Sequence, residues 1–151
     1  MISQKAKYAV KALAYLAQRT PGDTVQIEEI AESAAIPRKF LEHILLDLKR
    51  KGIVASRRGR AGGYVLIKQP AELSIGSILR AIDGPMAPVP CISRTAYRRC
   101  PDCTDEKTCV VRNLFADAYS ATLLLMDGTT LADGLREAAS PPPRKKMIPA
   151  E

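Results

Sequence analysis

Four cysteines fall within nineteen residues of a 151-residue chain: Cys91, Cys100, Cys103 and Cys109, and nowhere else. Their spacing is Cys-x8-Cys-x2-Cys-x5-Cys. Three or four thiolates on one loop can wrap an iron–sulfur cluster, which is held by cysteine sulfur. The same residues could hold zinc tetrahedrally, but structural zinc usually draws on two paired C-x-x-C knuckles. Only one such pair is present, Cys100-Pro-Asp-Cys103. A thiol–disulfide oxidoreductase built on that pair would need a βαβ surrounding, which the pattern lacks, so it is a remote reading. Arg94, Arg98, Arg99, Lys107 and Arg112 lie among the sulfurs, and nearby cations favour thiolate over thiol. The bland alternative is four unligated thiols. The N-terminal Met-Ile-Ser-Gln-Lys-Ala-Lys has charge where a signal peptide needs an apolar stretch, so a cytoplasmic protein with reduced thiols is expected.

A second constellation is basic. Residues 1–70 hold 13 Lys/Arg against 6 Asp/Glu, while residues 71–151 hold ten of each, so the whole net charge of +7 sits in the first half. That asymmetry suggests a footprint for a polyanion, with a solvated basic surface as the alternative. Within it, Arg57-Arg58-Gly59-Arg60-Ala61-Gly62-Gly63 places three guanidinium groups on a glycine-rich stretch that could approach phosphate or a narrow minor groove. Arg38, Lys39, Glu42 and His43 form a polar set at the start of a helical pattern. There Glu42 could accept from a cytosine amino group, and His43 could bond a base edge or a phosphate. For His43, the chain's one histidine, a plain surface or packing role is equally open. Having one histidine also removes most histidine-based catalytic and metal arrangements.

The elements that must position these groups follow from periodicity. A helix is expected from Ser3 to Gln18, with Ser3 as its cap. A short strand at 25–27 and a short helix follow, the latter ended by Ala35-Ile36-Pro37. Pro37 suits the first turn of a helix to about Lys51, with Phe40, Leu41, Ile44, Leu45 and Leu48 as its buried stripe and Gly52 as its cap. Ile53–Arg57 and Tyr64–Ile67 read as a hairpin around the basic loop. Ser74 caps a helix through Ile82, and 83–90 is a proline-rich hinge. The cysteine segment should be a loop. Helical periodicity returns from Val110 to Met126, and Thr129 or Thr130 can cap a last helix to about Ala139. Residues 140–151 read as a disordered tail. With 46 % hydrophobic and 26 % charged residues and no run of about 18 apolar ones, the composition is globular and no membrane span is expected.

Helix, short helix, break, helix and a glycine-tipped hairpin is the order of a winged helix-turn-helix, whose recognition helix enters the major groove of double-stranded DNA. The fold class expected is mainly α with a small β-hairpin wing, followed by a long helix.

Several stretches together resemble the Rrf-two family of bacterial winged-helix regulators, with its IscR-, NsrR- and RirA-like members. They are Lys5-Ala-Lys-Tyr-Ala-Val-Lys-Ala-Leu13, Ile27-Glu-Glu-Ile-Ala31, Ile36-Pro-Arg-Lys-Phe-Leu-Glu42, Leu48-Lys-Arg-Lys-Gly-Ile-Val54 and Arg58-Gly-Arg-Ala-Gly-Gly-Tyr64. Ile78-Leu-Arg-Ala-Ile-Asp-Gly84 and Thr130-Leu-Ala-Asp-Gly-Leu135 match as well. The resemblance implies a homodimeric transcriptional regulator, not an enzyme, that reads a palindromic promoter site. It places Arg38, Lys39, Glu42 and His43 in the recognition helix and Arg58 and Arg60 in the wing, beside Arg57. It implies a winged domain at 1–84, a hinge and cluster loop at 85–109 and a dimerisation helix with a C-terminal helix at 110–139. It also implies a redox-, iron- or nitric-oxide-responsive cluster, 2Fe–2S or 4Fe–4S, held by three cysteines. Cys91, Cys103 and Cys109 fit that arrangement. Cys100 is a departure: it is open to being a fourth ligand, a replacement for Cys103 or a bystander. A thiol-oxidation switch or zinc in place of the cluster remains the alternative.

Overall fold

The computed structural model describes residues 2–140, so all of the tail expected at 140–151 except Ser140 falls outside the described residues. Helix α1 (Gln4–Ala17) is capped by Ser3, whose hydroxyl accepts from the Ala6 N–H at 2.9 Å. Its inner face is Ala6, Ala9, Ala12, Leu13 and Leu16. Three alanines on that face let the helices beneath it approach closely, and α1 packs on α2 (Ile27–Ser33), α3 (Arg38–Arg50) and α4 (Ile75–Asp83). The core is a single cluster centred on Leu13, Ile30, Leu41, Ile44, Leu45, Leu48, Leu73 and Ile78, all essentially inaccessible.

Two helix ends set the angle at which α3 is presented. At the end of α2, Ile36 N–H bonds Ala31 C=O at 2.9 Å and Ala35 N–H bonds Glu32 C=O at 3.2 Å. This Schellman closure puts Ala35 at φ +52°, a left-handed conformation that a Cβ disfavours. At the end of α3 the same closure recurs, with Ile53 N–H on Leu48 C=O at 2.9 Å and Gly52 at φ +65°. Here glycine fills the left-handed position without cost. Pro37 occupies the cap position just before α3 rather than its first turn.

The wing pairs β1 (Val54–Arg57) antiparallel with β2 (Gly63–Leu66), with Val54 opposite Leu66 and Arg57 opposite Gly63. The strand expected at 25–27 reduces to one residue. Val25 exchanges two backbone bonds with Tyr64, at 2.9 and 2.8 Å, and α2 begins at Ile27, because those apolar side chains are needed on a helix face instead. At Gly63 the backbone passes so close to the Val25 carbonyl that any Cβ would overlap it.

Helix α4 is capped by Ser74, and α6 (Leu131–Ala139) by Thr130 in a reciprocal box with Asp133. Backbone bonds Ile75 N–H to Thr129 C=O (2.9 Å) and Leu131 N–H to Leu73 C=O (2.8 Å) stitch α6 to the head, and Leu131 joins the core. Between them runs α5 (Val110–Gly128), of whose side chains only Leu123 is buried. It leans on α4 through the Arg80–Asp127 ion pair at 2.6 Å, over Gly76, where a side chain would collide with Asp127.

The buried stripe expected on α3 fails at Phe40, which is 59 % exposed. The buried arc of α3 is set by Leu41, Ile44, Leu45 and Leu48, and Phe40 lies about a quarter turn from its centre. There it meets Tyr8 of α1 edge-on, ring centroids 6.4 Å apart, instead of the core.

Relief of the left-handed strain at Ala35 makes Ala35→Gly a stabilising change, worth up to about 1 kcal/mol after glycine's greater unfolded-state freedom is subtracted. Thermal melting should show a rise of about 2–5 °C; a fall would mean that the Ala35 methyl contributes packing that outweighs the strain.

Candidate nucleic-acid interface and cysteine site

The basic candidates do not stand alike. Arg38 is clamped between Glu28 (2.7 Å) and Glu42 (3.2 Å), so its charge is met within the chain and it holds Glu42 along the face of α3. Lys5 pairs with Asp47 at 2.6 Å, and that bond foremost holds the Asp47 carboxyl below its ordinary value of 3.8. Lys49 donates to the Ser56 hydroxyl at 2.6 Å, joining α3 to the wing. Among the described residues, Lys39, Arg57, Arg58 and Arg60 enter no ion pair, and all four are exposed, as are Glu42 and His43. Carboxylates of the head thus meet Lys5, Arg19, Arg38 and Arg50, while the wing tip, the outward edge of α3 and the exposed Lys7, Lys11, Lys49, Lys51 and Lys68 have no ion-pair partner among the described residues.

Thr24 fixes the tip from the side, its hydroxyl donating to the Ala61 carbonyl at 2.8 Å. Neither Thr24 nor Glu28 stands out in the sequence. Each acts across a gap in the chain that no helical or strand spacing encodes.

The four cysteines come from three local structures and line one cavity of about 340 Å³, with Val89 and Arg112 in its wall. Cys91 sits in a 3₁₀ turn, Pro90–Ile92, and is buried. Cys100 and Cys103 are linked by a turn in which Cys103 N–H bonds Cys100 C=O at 3.1 Å. Cys109 is the N-terminal cap residue of the 19-residue helix α5. Burial, followed by a hydrogen bond with Cys91, pushes the Cys100 thiol above its ordinary value.

An outer layer orders this loop. Arg112 donates to the Cys91 carbonyl and lies 3.7 Å from Glu106, which also accepts from the Tyr97 hydroxyl at 2.6 Å. Arg99 donates to the Cys103 and Thr104 carbonyls at 3.1 and 3.0 Å. Of the cations expected to favour thiolates, Arg99 spends its donors on backbone oxygen, whereas Arg112 is shared among the Cys91 carbonyl, the Cys91 side chain and the Glu106 carboxylate. Among the described residues, no three His, Cys, Asp or Glu side chains converge closely enough to hold a single ion. Nor is any helix long and apolar enough to cross a membrane.

A helical head, a basic hairpin and a long trailing helix define a winged helix-turn-helix transcriptional regulator, a DNA-binding protein and not an enzyme. The chain belongs to the Rrf2 family, described as iron-dependent transcriptional regulators, whose profile matches residues 2–137. It is 52 % identical over 150 residues to an rrf2-like HTH-type transcriptional regulator of Rhodobacter capsulatus, covering 97 % of this chain and 99 % of that one. Among solved structures it is similar to CymR, the global cysteine regulator of B. subtilis, at 29 % identity and a TM-score of 0.72 over 90 % of this chain and 96 % of that one. IscR of T. potens gives the same TM-score at 25 % identity, over 96 % of this chain and 93 % of that one.

Proposed function

We propose that the protein is a cytoplasmic homodimer that grips a palindromic operator and carries an iron–sulfur cluster on its cysteine loop. The observation that carries the cluster reading is that all four cysteines line one cavity. Sulfurs spread around a cavity suit a multi-atom cluster, whereas one tetrahedral ion needs its ligands on a single small sphere. Likeness to IscR supports the same reading. Cys91, Cys103 and Cys109 would hold the cluster, with Cys100 in place as a fourth sulfur. When bound, the cluster would supply iron–sulfur bonds that cross-link the loop and respond to iron, oxygen or nitric oxide.

The chain's own contribution is mechanical. Cys109 begins α5 and Cys91 sits in the turn against which α5 packs, so the loop is anchored at the base of that helix. On α5, Leu114, Leu124 and Leu125 are 69–76 % exposed, and Val110, Val111 and Phe115 are exposed with them. A second copy of the same helix would cover that surface and set the distance between two heads, which must read half-sites about one DNA turn apart. Lys39, Glu42 and His43 of α3 face the groove in this reading, Arg38 steadies Glu42, and Arg57, Arg58 and Arg60 lie along the phosphates. A thiol switch without metal is the second reading, favoured by Cys91 and Cys100 lining the same cavity.

Anaerobic reconstitution with iron and sulfide should give a coloured protein with both elements bound, and Cys103→Ser should lose or shift the visible absorption. A colourless wild type without iron would leave the thiol switch. On a duplex enriched by the wild-type protein from a randomised library, Arg58→Ala/Arg60→Ala should lower the slope of log affinity against log salt by about 1.8, two phosphate contacts at about 0.9 each. An unchanged slope would remove the wing from the interface. Leu114→Asp/Leu125→Asp should convert a sedimenting dimer to monomer, because burying each leucine contributes about 1.5–3 kcal/mol; an unaltered dimer would place the interface elsewhere.

A further inference from the structure

Phe40 has no place in the core and none in the functions assigned so far. It is the third residue of α3, in the turn that a recognition helix presents first to the groove. Its neighbours in sequence divide sharply. Leu41 is fully buried, while Arg38, Lys39, Glu42 and His43 are exposed and polar. A ring left 59 % exposed in such a setting keeps apolar surface in water unless something covers it. Tyr8 touches it edge-on, with the ring planes 67° apart, which steadies the ring laterally and leaves its outward surface free. The flanking charge selects the kind of partner. Lys39 enters no ion pair among the described residues, and residues 1–70 carry the chain's whole net charge of +7, which suits duplex DNA and not an apolar protein groove.

From this we infer that Phe40 is a base-reading residue that packs on the 5-methyl group of one thymine in each half-site. The inference rests on the DNA-gripping reading above and deepens it. A phenyl ring neither donates nor accepts a hydrogen bond. Of the groups that base pairs display in the major groove, the thymine methyl is the one apolar group that projects from the base edge, where cytosine has only a hydrogen. Set against a cytosine amino group or a guanine oxygen, the ring would strip water from a polar edge and return nothing, so the contact selects for thymine and against the other bases at that position. The adjacent polar residues, Lys39, Glu42 and His43, then read or flank neighbouring pairs by hydrogen bonding. The half-site would be read partly by polar contacts and partly by this single apolar one.

Deoxyuridine tests this directly, since it removes the methyl group and leaves every hydrogen-bonding edge intact. The full-length protein would first enrich duplexes from a randomised library. Each thymine of the enriched duplex would then be replaced singly by deoxyuridine and the affinity measured for wild type, Phe40→Ala and Phe40→Leu. One thymine per half-site should prove sensitive, its replacement weakening wild type about fivefold or more. The same replacement should have no effect on Phe40→Ala, and Phe40→Leu should retain part of the sensitivity. Because Phe40 lies outside the core, all three proteins should melt at similar temperatures. The inference is overturned if wild type binds its enriched duplex tightly and no deoxyuridine weakens it. It is equally overturned if Phe40→Ala loses affinity while keeping the same methyl sensitivity. In both cases the DNA-gripping reading stands. Failure of wild type to enrich any duplex would instead sink that reading itself.

Discussion

Helix α5 carries more apolar surface than one chain can cover. Of its nineteen residues only Leu123 is buried, although the helix displays valine, leucine and phenylalanine along most of its length. Within the chain it is held by α4 and by the turn that contains Cys91. A helix so placed is a poor structural element alone and a good one when doubled. In the proposed dimer, doubling it would fix two heads at one separation, and its seat on the cysteine turn would make that separation depend on the loop. The proposed dimer, the proposed operator symmetry and the proposed coupling all descend from this one uncovered face.

The head solves a different problem, which is to concentrate charge without destabilising itself. Asp47 neutralises Lys5, and Glu28 and Glu42 share Arg38. These pairs sit on the body of the domain. The arginines that remain bare are on the hairpin tip, where Gly59, Gly62 and Gly63 leave little side-chain bulk between the backbone and a ligand. Exposed ion pairs add little stability. Their effect here is to decide which cations are left to meet a polyanion.

What was legible in the residues was mostly local. Ser3, Ser74 and Thr130 cap helices because a short hydroxyl side chain reaches a backbone N–H three residues on, a bond that needs nothing from the rest of the chain. Gly52 ends α3 for a similarly local reason. The hairpin and the cysteine loop were legible from composition. What escaped depends on packing partners distant in sequence. Phe40 shares the hydrophobicity of the core stripe but falls outside its arc, and the side chain that receives it, Tyr8, is thirty-two residues away. Ala35 takes a left-handed turn that sequence would assign to glycine, because the closure around it bonds both flanking amides. Leu131 joins the head's core after a helix that stands away from it, a return that no periodicity records. The convergence of four cysteines on one cavity likewise depends on Cys91 being buried by the turn under α5, which spacing alone does not disclose.

The central claim is that the state of the cysteine loop changes how the head holds DNA. The most direct measurement is the affinity of one full-length preparation for one enriched duplex, taken anaerobically at fixed salt, first with iron and sulfide bound and then after both have been removed by chelation. Coupling through α5 predicts that the two affinities differ by at least about fivefold, the lower end of what linked sites commonly show. Equal affinities, with the iron and sulfide content verified in each state, would contradict it.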